Sequence, residues 1–205
     1  MFHGRKAALG QIQVWMLTGF LAGWVLAACS ASGPIQAAKP AGPSLKEPQA
    51  GLAVLYFHQK FRNISEMPKG EWAEKMGKPG KPIPNLDHRF GDGPVFDSGV
   101  SDKIGVRLTG FIHLAVPGSY LFKVNSNDGA EIAIDGRRVV SDPDVHSDRI
   151  SDTGQFKAAE PGWYPFRAYY FENKKTATLQ LFWKPPRAEA FSIVPADAFG
   201  HLPKG

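Results

Sequence analysis

Side chains able to bind or react gather in two short stretches of this 205-residue sequence. Ser141-Asp142-Pro143-Asp144-Val145-His146-Ser147-Asp148-Arg149 holds three carboxylates and an imidazole, donors that suit a cation or the hydroxyls of a ligand. A helix-loop-helix calcium loop needs oxygens at alternate positions, then a glycine and a distant glutamate. Here the glycine and the glutamate are missing. Two readings follow: a solvated polar loop, or a loop in which some of these groups, His146 among them, face Asp128 and complete an ion or ligand pocket. Asn127-Asp128-Gly129 is the second stretch. Its Asn127 and Asp128 either bond their own backbone in a hairpin or bend, or turn their side-chain oxygens to a ligand.

Signatures of catalysis are missing. The sequence has no Gly-x-Ser-x-Gly, no His-Glu-x-x-His and no phosphate-cradling glycine loop. The six histidines, at 3, 58, 88, 113, 146 and 201, show no close metal-binding spacing. Carboxylate pairs for glycoside hydrolysis come from separated strands and leave no local signature, and nothing specific points to them. The expectation is a protein that binds and is not an enzyme. Its formal charge of +5, which falls to +3 without Arg5 and Lys6, is too mild for nucleic acid. That function calls for Lys and Arg clustered on one face.

Ahead of these stretches, Arg5 and Lys6 precede an uncharged run from Ala7 to Ala28 that closes on Leu26-Ala27-Ala28 beside Cys29, the chain's single cysteine. This is the layout of a secretory leader, and its apolar run is short for a permanent membrane span of ~20 residues. The Leu-Ala-Ala-Cys ending resembles a bacterial lipobox. That resemblance implies a cleaved signal peptide over 1–28, with Cys29 as the lipidated first residue of the mature protein. Alternatives are an ordinary export signal with a stray cysteine, or an uncleaved anchor. Ser30 after the cysteine resembles lipoproteins sorted to the outer membrane, facing the periplasm or the surface.

The elements that must position the polar stretches are strands. Residues 29–50, with Cys29 followed by a Pro-, Ala- and Ser-rich run without aromatics, read as a tether. From Gly51 onward short alternating segments punctuated by Gly, Pro, Asn and Asp predict an all-β fold, a two-sheet antiparallel sandwich over 51–205. Leu108, Gly110, Ile112, Leu114 and Val116 share one face, with His113 on the other. Tyr120, Phe122 and Val124 follow in a strand joined to the first as a hairpin through Val116-Pro117-Gly118-Ser119. Ala130, Ile132 and Ile134 lead to an Asp135-Gly136 turn. Tyr164, Phe166, Ala168 and Tyr170, then Ala177, Leu179, Leu181 and Trp183, alternate in the same way. Gly70 to Met76 is the helical candidate, with Trp72, Lys75 and Met76 forming its amphipathic pattern. Residues 77–94, with four Gly and four Pro, read as a long irregular loop. The segment Lys69 to Pro94, bearing Trp72 and several lysines, is a candidate rim for a ligand or a loop solubilised by charge.

Phe111-Ile112-His113-Leu114-Ala115-Val116-Pro117-Gly118-Ser119-Tyr120-Leu121-Phe122, followed by Asn127-Asp128-Gly129-Ala130-Glu131-Ile132-Ala133-Ile134-Asp135-Gly136, resembles the heart of the PA14 (PA-fourteen) domain. That family is named after the protective antigen of anthrax toxin and also occurs in yeast flocculins. Gly51-Leu52-Ala53-Val54-Leu55-Tyr56-Phe57, Pro161-Gly162-Trp163-Tyr164-Pro165-Phe166-Arg167 and Leu179-Gln180-Leu181-Phe182-Trp183 fall in the same family order. In sugar-binding members two adjacent aspartates joined by a cis peptide hold a calcium ion. The matching positions here are Asn127 and Asp128, so the resemblance implies a calcium site that has lost one full negative charge. It implies a membrane-anchored module that binds carbohydrate or another envelope component. The alternative is a structural or assembly lipoprotein that docks a protein partner without calcium or sugar.

Overall fold

The computed structural model describes residues 48–174 and 176–203; the leader, Cys29 and the tether up to residue 47 lie outside them. Alternation over these residues produces two antiparallel sheets facing each other as a sandwich. In the first sheet β5 (Ile104–Leu114) and β11 (Gly162–Glu172) pair over their full length. β7 (Ala130–Ile134) and then β8 (Arg137–Asp142) extend it beyond β11. The other edge of β5 is shared by β2 (Ala53–Phe57) and β14 (Phe199–His201). To these are added β3 (Lys78–Pro79) on β2 and β1 (Gln49–Ala50) on β14. The second sheet centres on β6 (Gly118–Ser126), with β12 (Ala177–Lys184) on one side and β10 (Gly154–Ala158) and β9 (Arg149–Ile150) on the other. β4 (Asp87–Gly91) and β13 (Ser192–Ile193) pair with the far edge of β12.

Every second side chain of these strands enters one core between the sheets. Ile104, Val106, Leu108, Ile112 and Leu114 of β5 meet Tyr120, Phe122 and Val124 of β6 and Leu179 and Leu181 of β12 there. A side chain of this size contributes ~1.5–3 kcal/mol when fully buried. Gly110 interrupts the series for a packing reason: a Cβ at that position would lie 2.3 Å from the Gly200 carbonyl oxygen, so glycine is what admits β14 alongside β5. A second, smaller cluster covers part of the outer face of the first sheet. Leu55, Phe57, Tyr169 and Phe171 point away from the main core and are capped by Phe61, Ile64, Met67 and Ala73, carried on a 3-10 turn (Ile64–Glu66) and α1 (Gly70–Met76).

Four expectations need correction. The strands on either side of Val116-Pro117-Gly118-Ser119 do not form a hairpin, because β5 and β6 belong to different sheets. Both have an apolar face to bury in the same core, and the chain must cross from one layer to the other to do so. The Tyr120 hydroxyl pins that crossing by donating to the Val116 carbonyl at 3.1 Å and accepting the Val116 N–H at 3.2 Å. Residues 77–94 are not wholly irregular, since they hold β3 and β4. α1 occupies the expected residues, yet it buries Ala73 and leaves Trp72 68% exposed. Gln49 and Ala50, assigned to the tether, are taken into the first sheet opposite His201 and Gly200. The Asp135-Gly136 turn is the expected two-residue hairpin, with φ of 51° and 72° at its two positions, the type I′ geometry that favours Asp-Gly.

Candidate functional site

Three connections cross between the sheets at the same end of the sandwich. Asn127-Asp128-Gly129 leads from β6 to β7, the stretch after Asp142 leads from β8 to β9, and the stretch after Glu172 leads from β11 to β12. Asp128 ties them together. It sits at φ 58°, a left-handed conformation that Asp tolerates better than most side chains. Its N–H donates to the His146 carbonyl at 2.9 Å. One carboxylate oxygen, Oδ1, accepts the His146 N–H at 3.1 Å, and Oδ2 accepts the Asn173 N–H at 2.8 Å. Gly129 is equally constrained: a Cβ there would lie 2.3 Å from the Phe171 ring and 2.7 Å from the Pro143 carbonyl oxygen.

The other polar groups named from the sequence are placed nearby but do not converge on Asp128. Asn127 Nδ2 donates to Asp148 Oδ1 at 2.8 Å, and the Thr178 hydroxyl donates to Asp148 Oδ2 at 2.9 Å. The Arg149 guanidinium, bonded to Asp142, holds that carboxyl below its ordinary value. Asp144 accepts from Asn63 Nδ2 at 2.7 Å. The His146 imidazole is buried, with Nδ1 at 2.8 Å from the Ser147 carbonyl oxygen and Nε2 at 3.2 Å from Asp142 Oδ2. The bonds of His146 to Asp128 are made by backbone, and its buried Nε2, though close to Asp142, makes no hydrogen bond.

The acid that stands electrostatically closest to Asp128 lies outside both polar stretches of the sequence. Glu172 is fully buried. Burial first, and the Asp128 charge second, push it up to about 8, against the opposing pull of the Tyr170 hydroxyl and the Lys174 N–H. Burial also pushes the Asp128 carboxyl up, offset in part by the N–H groups of Asn173 and His146. Among the described residues no cation is ion-paired to either acid. Asn173, 4% exposed, adds a second signal: neither its Nδ2 nor its Oδ1 has a hydrogen-bond partner. Asp128 and Asn173 line a cleft of about 220 Å³ together with Asn127, His146, Ser147 and Lys174, and with the half-exposed Val145 at its edge, while Glu172 lies buried behind it. No residue of the Lys69 to Pro94 segment lines it.

Calcium takes six to eight oxygens, and its affinity rises with the charge of the ligand set. Among the described residues no group of three or more His, Cys, Asp or Glu side chains could hold a metal. What the cleft offers is one carboxylate, Asp128, beside the orphaned amide of Asn173 and the side chain of Asn127. One carboxylate and two amides would leave most of a calcium shell to water and ligand, a charge count suited at most to weak binding.

Glu172 carries a signal of its own in the sequence. The inward series Tyr164, Phe166, Ala168, Tyr170 reaches Glu172 at the next step, so alternation itself assigns that carboxylate to the interior.

Comparison with known proteins agrees with this architecture. The PA14 domain model matches residues 87–197, more than half of the chain. A search of curated proteins finds no match. Among solved structures, an anti-sigma factor domain-containing protein superposes with a TM-score of 0.63 at 18% identity, over 77% of this chain and 49% of its own. The chain thus spans about half the length of that protein. A PA14 sugar-binding domain from an RTX adhesin gives a TM-score of 0.60 at 18% identity, over 75% of this chain and 99% of its own. The epithelial adhesin 6 A domain from Candida glabrata, in complex with Galb1-3GlcNAc, gives 0.56 at 13% identity, over 78% and 90%.

Proposed function

The chain belongs to the PA14 domain family, and we propose that it is a lipid-anchored binding module of the bacterial outer membrane that holds a carbohydrate of the envelope in the end cleft. The observation that carries this reading is the buried, unpartnered Asn173 amide beside Asp128 in an open cleft. An unsatisfied buried amide costs ~1–3 kcal/mol, which an incoming hydroxyl or ion recovers. Support comes from the likeness in fold to a sugar-binding adhesin domain and to an adhesin domain complexed with a disaccharide. The module is read as a binder: Asp128 and the carboxylates of the 141–149 loop are engaged with backbone N–H groups and neighbouring side chains. Calcium would be held by the Asp128 carboxylate and the Asn173 and Asn127 amide oxygens, and would supply a positive charge that orients sugar hydroxyls. Cys29 carries the anchor, and the proline-rich tether lets the domain stand clear of the lipid.

A glycan array probed with the full-length chain in a non-glycosidic detergent, once with calcium and once with EGTA, tests the cleft. Binding that the chelator abolishes supports the reading, and silence on every glycan refutes it. Cys29→Ser tests the anchor: lipid labelling and membrane retention should both disappear, and unchanged retention refutes the lipoprotein assignment. A second reading, a structural or assembly lipoprotein that docks a protein partner, draws on a specific observation. Asn127, Asp148 and both Asp128 oxygens are already spent on internal hydrogen bonds that brace the three crossings.

A further inference from the structure

We propose a second saccharide-binding surface, independent of calcium, on the outer face of the first sheet. It runs from a notch beside Arg107 to the indole of Trp163 and suits an extended β-1,4-linked hexose chain. The inference takes its ligand class from the carbohydrate reading above but places the ligand on different residues.

α1 and the 3-10 turn cover only one end of that face. Past the cover, the register of β11 on β5 sets Tyr169 opposite Arg107, Arg167 opposite Thr109, Pro165 opposite Phe111 and Trp163 opposite His113. By alternation all of these point away from the core. At the covered end a notch of about 180 Å³ opens between β2, α1 and the C-terminal Leu202-Pro203, with Arg107, Glu74, Thr109 and His201 on its walls. Arg107 is 8% exposed. Its guanidinium is paired with Glu74, while its buried Nε–H has no partner. A buried donor left unpaired costs ~1–3 kcal/mol, so an acceptor that reaches it where Arg107 lines the notch would be favoured. An isolated arginine would select carboxylate or phosphate. With Glu74 alongside, the notch presents donors and acceptors together and little net charge, which matches a neutral ligand rich in hydroxyls.

At the other end Trp163 is 39% exposed. Its indole reaches across β5 to β14, since a Cβ on Gly200 would lie 3.2 Å from its six-membered ring. The His113 ring centroid is 5.0 Å from it. The exposed part of this indole offers an aromatic platform for the apolar face of a sugar ring. Arg167, poised 5.5 Å over the Tyr169 ring, stands between platform and notch with a free guanidinium edge. From residue 107 to 113 a strand advances about 20 Å, room for several rings of an extended chain.

The test is calorimetric titration of the full-length chain, in a non-glycosidic detergent with EGTA, by cellohexaose and by chitohexaose. At least one hexasaccharide should bind, Trp163→Ala should weaken it tenfold or more, and Arg167→Ala several-fold. Asn173→Ala should leave it unchanged. The urea midpoint of each variant checks folding, and Arg167→Ala, on an exposed side chain, serves if Trp163→Ala does not fold. Failure of both sugars to bind in EGTA overturns the surface, as does binding that both outer-face variants leave intact. Binding lost on chelation or in Asn173→Ala assigns the sugar to the end cleft, refuting this proposal and leaving the first reading standing. A mass that doubles with concentration and reverts in Trp163→Ala would give the face to a second copy of the chain, and would equally refute it.

Discussion

Truncating Asn173 to alanine should separate binding from folding, because that side chain has a place in the cleft and no partner in the fold. In the parent protein the amide is 4% exposed with both polar atoms unpaired. On protein-derived scales such a group costs ~1–3 kcal/mol. The variant removes that cost and loses in exchange the contacts of a small side chain at an open cleft, about 1 kcal/mol at ~24 cal/mol per Å³ of vacated space. In EGTA, Asn173→Ala should therefore be as stable as the parent or more so, by ~0–2 kcal/mol. For a chain of this size each kcal/mol moves Tm by roughly 2–4 °C. Calcium should reverse the order. With a Kd of ~1 mM, at the weak end of the range for extracellular modules, 10 mM calcium stabilises the parent by about 1.4 kcal/mol through mass action, and the variant should gain little. Urea unfolding of both proteins, with calcium and with EGTA, reads all four values. A loss above about 1 kcal/mol for Asn173→Ala in EGTA would refute the claim that the amide has no structural role. Identical parent midpoints in the two buffers would remove calcium from the account.

Three further outcomes follow from the same geometry. Asp128→Ala strips the acceptors from the N–H groups of His146 and Asn173 and should cost ~2–4 kcal/mol even in EGTA, a loss visible in urea midpoints; a change under 0.5 kcal/mol would show that the three crossings hold without it. Gly129→Ala forces a Cβ to 2.3 Å from the Phe171 ring and should destabilise by ~1–3 kcal/mol or more, checked in the same assay, where parent-like stability would contradict the packing. His88 lies stacked on Phe90 at 5.2 Å and edge-on to Phe96 at 4.7 Å, and burial holds its imidazole below the ordinary 6.5 despite the opposing Asn85 carbonyl and Asp87 charge. The folded state thus binds that proton less readily than the unfolded chain, so the stabilisation is present above pH ~6.5 and is lost as pH falls through the lowered value. His88→Phe should flatten Tm between pH 7.5 and 5, and equal slopes in parent and variant would refute this.

What the sequence made legible was local. Alternation in Tyr120, Phe122, Val124 and in Ala130, Ile132, Ile134 identifies strands and their buried faces, and Asp135-Gly136 identifies its hairpin, because each signal is complete within a few residues. Which sheet a strand joins is not local. Val116-Pro117-Gly118-Ser119 has the composition of a hairpin turn, and only the need of β5 and β6 to face each other across a core makes it a crossing. β4 is hidden for a related reason: His88 and Phe90 form a strand only when β12 is there to pair with them. At the candidate site, Asn127, Asp128 and His146 line one cleft, His146 meeting Asp128 through its backbone. The carboxylates of the 141–149 loop turn elsewhere because Arg149, Asn63, Asn127 and Thr178 capture them. Those partners lie up to 81 residues away in the chain, beyond the reach of any spacing rule.

The cleft divides its labour in a way that bears on how its ligand could change. Asp128 and Gly129 are committed to the fold, the first by two backbone N–H groups from separate crossings and the second by its lack of room for a side chain. Any ligand must work around a carboxylate whose better acceptor directions are already taken, and this argues for a partner that needs one charged contact at most. Asn173, Val145 and Lys174 carry no such burden: their side chains line the cleft, and Val145 is 51% exposed. Substitution at these three positions can therefore alter what the cleft accepts at little cost in stability, whereas a change at 128 or 129 alters the fold first. The division is a physical reason for a sandwich to place recognition where its chain crosses between layers. The crossings must be braced in any case, and bracing them leaves side chains such as Val145 free.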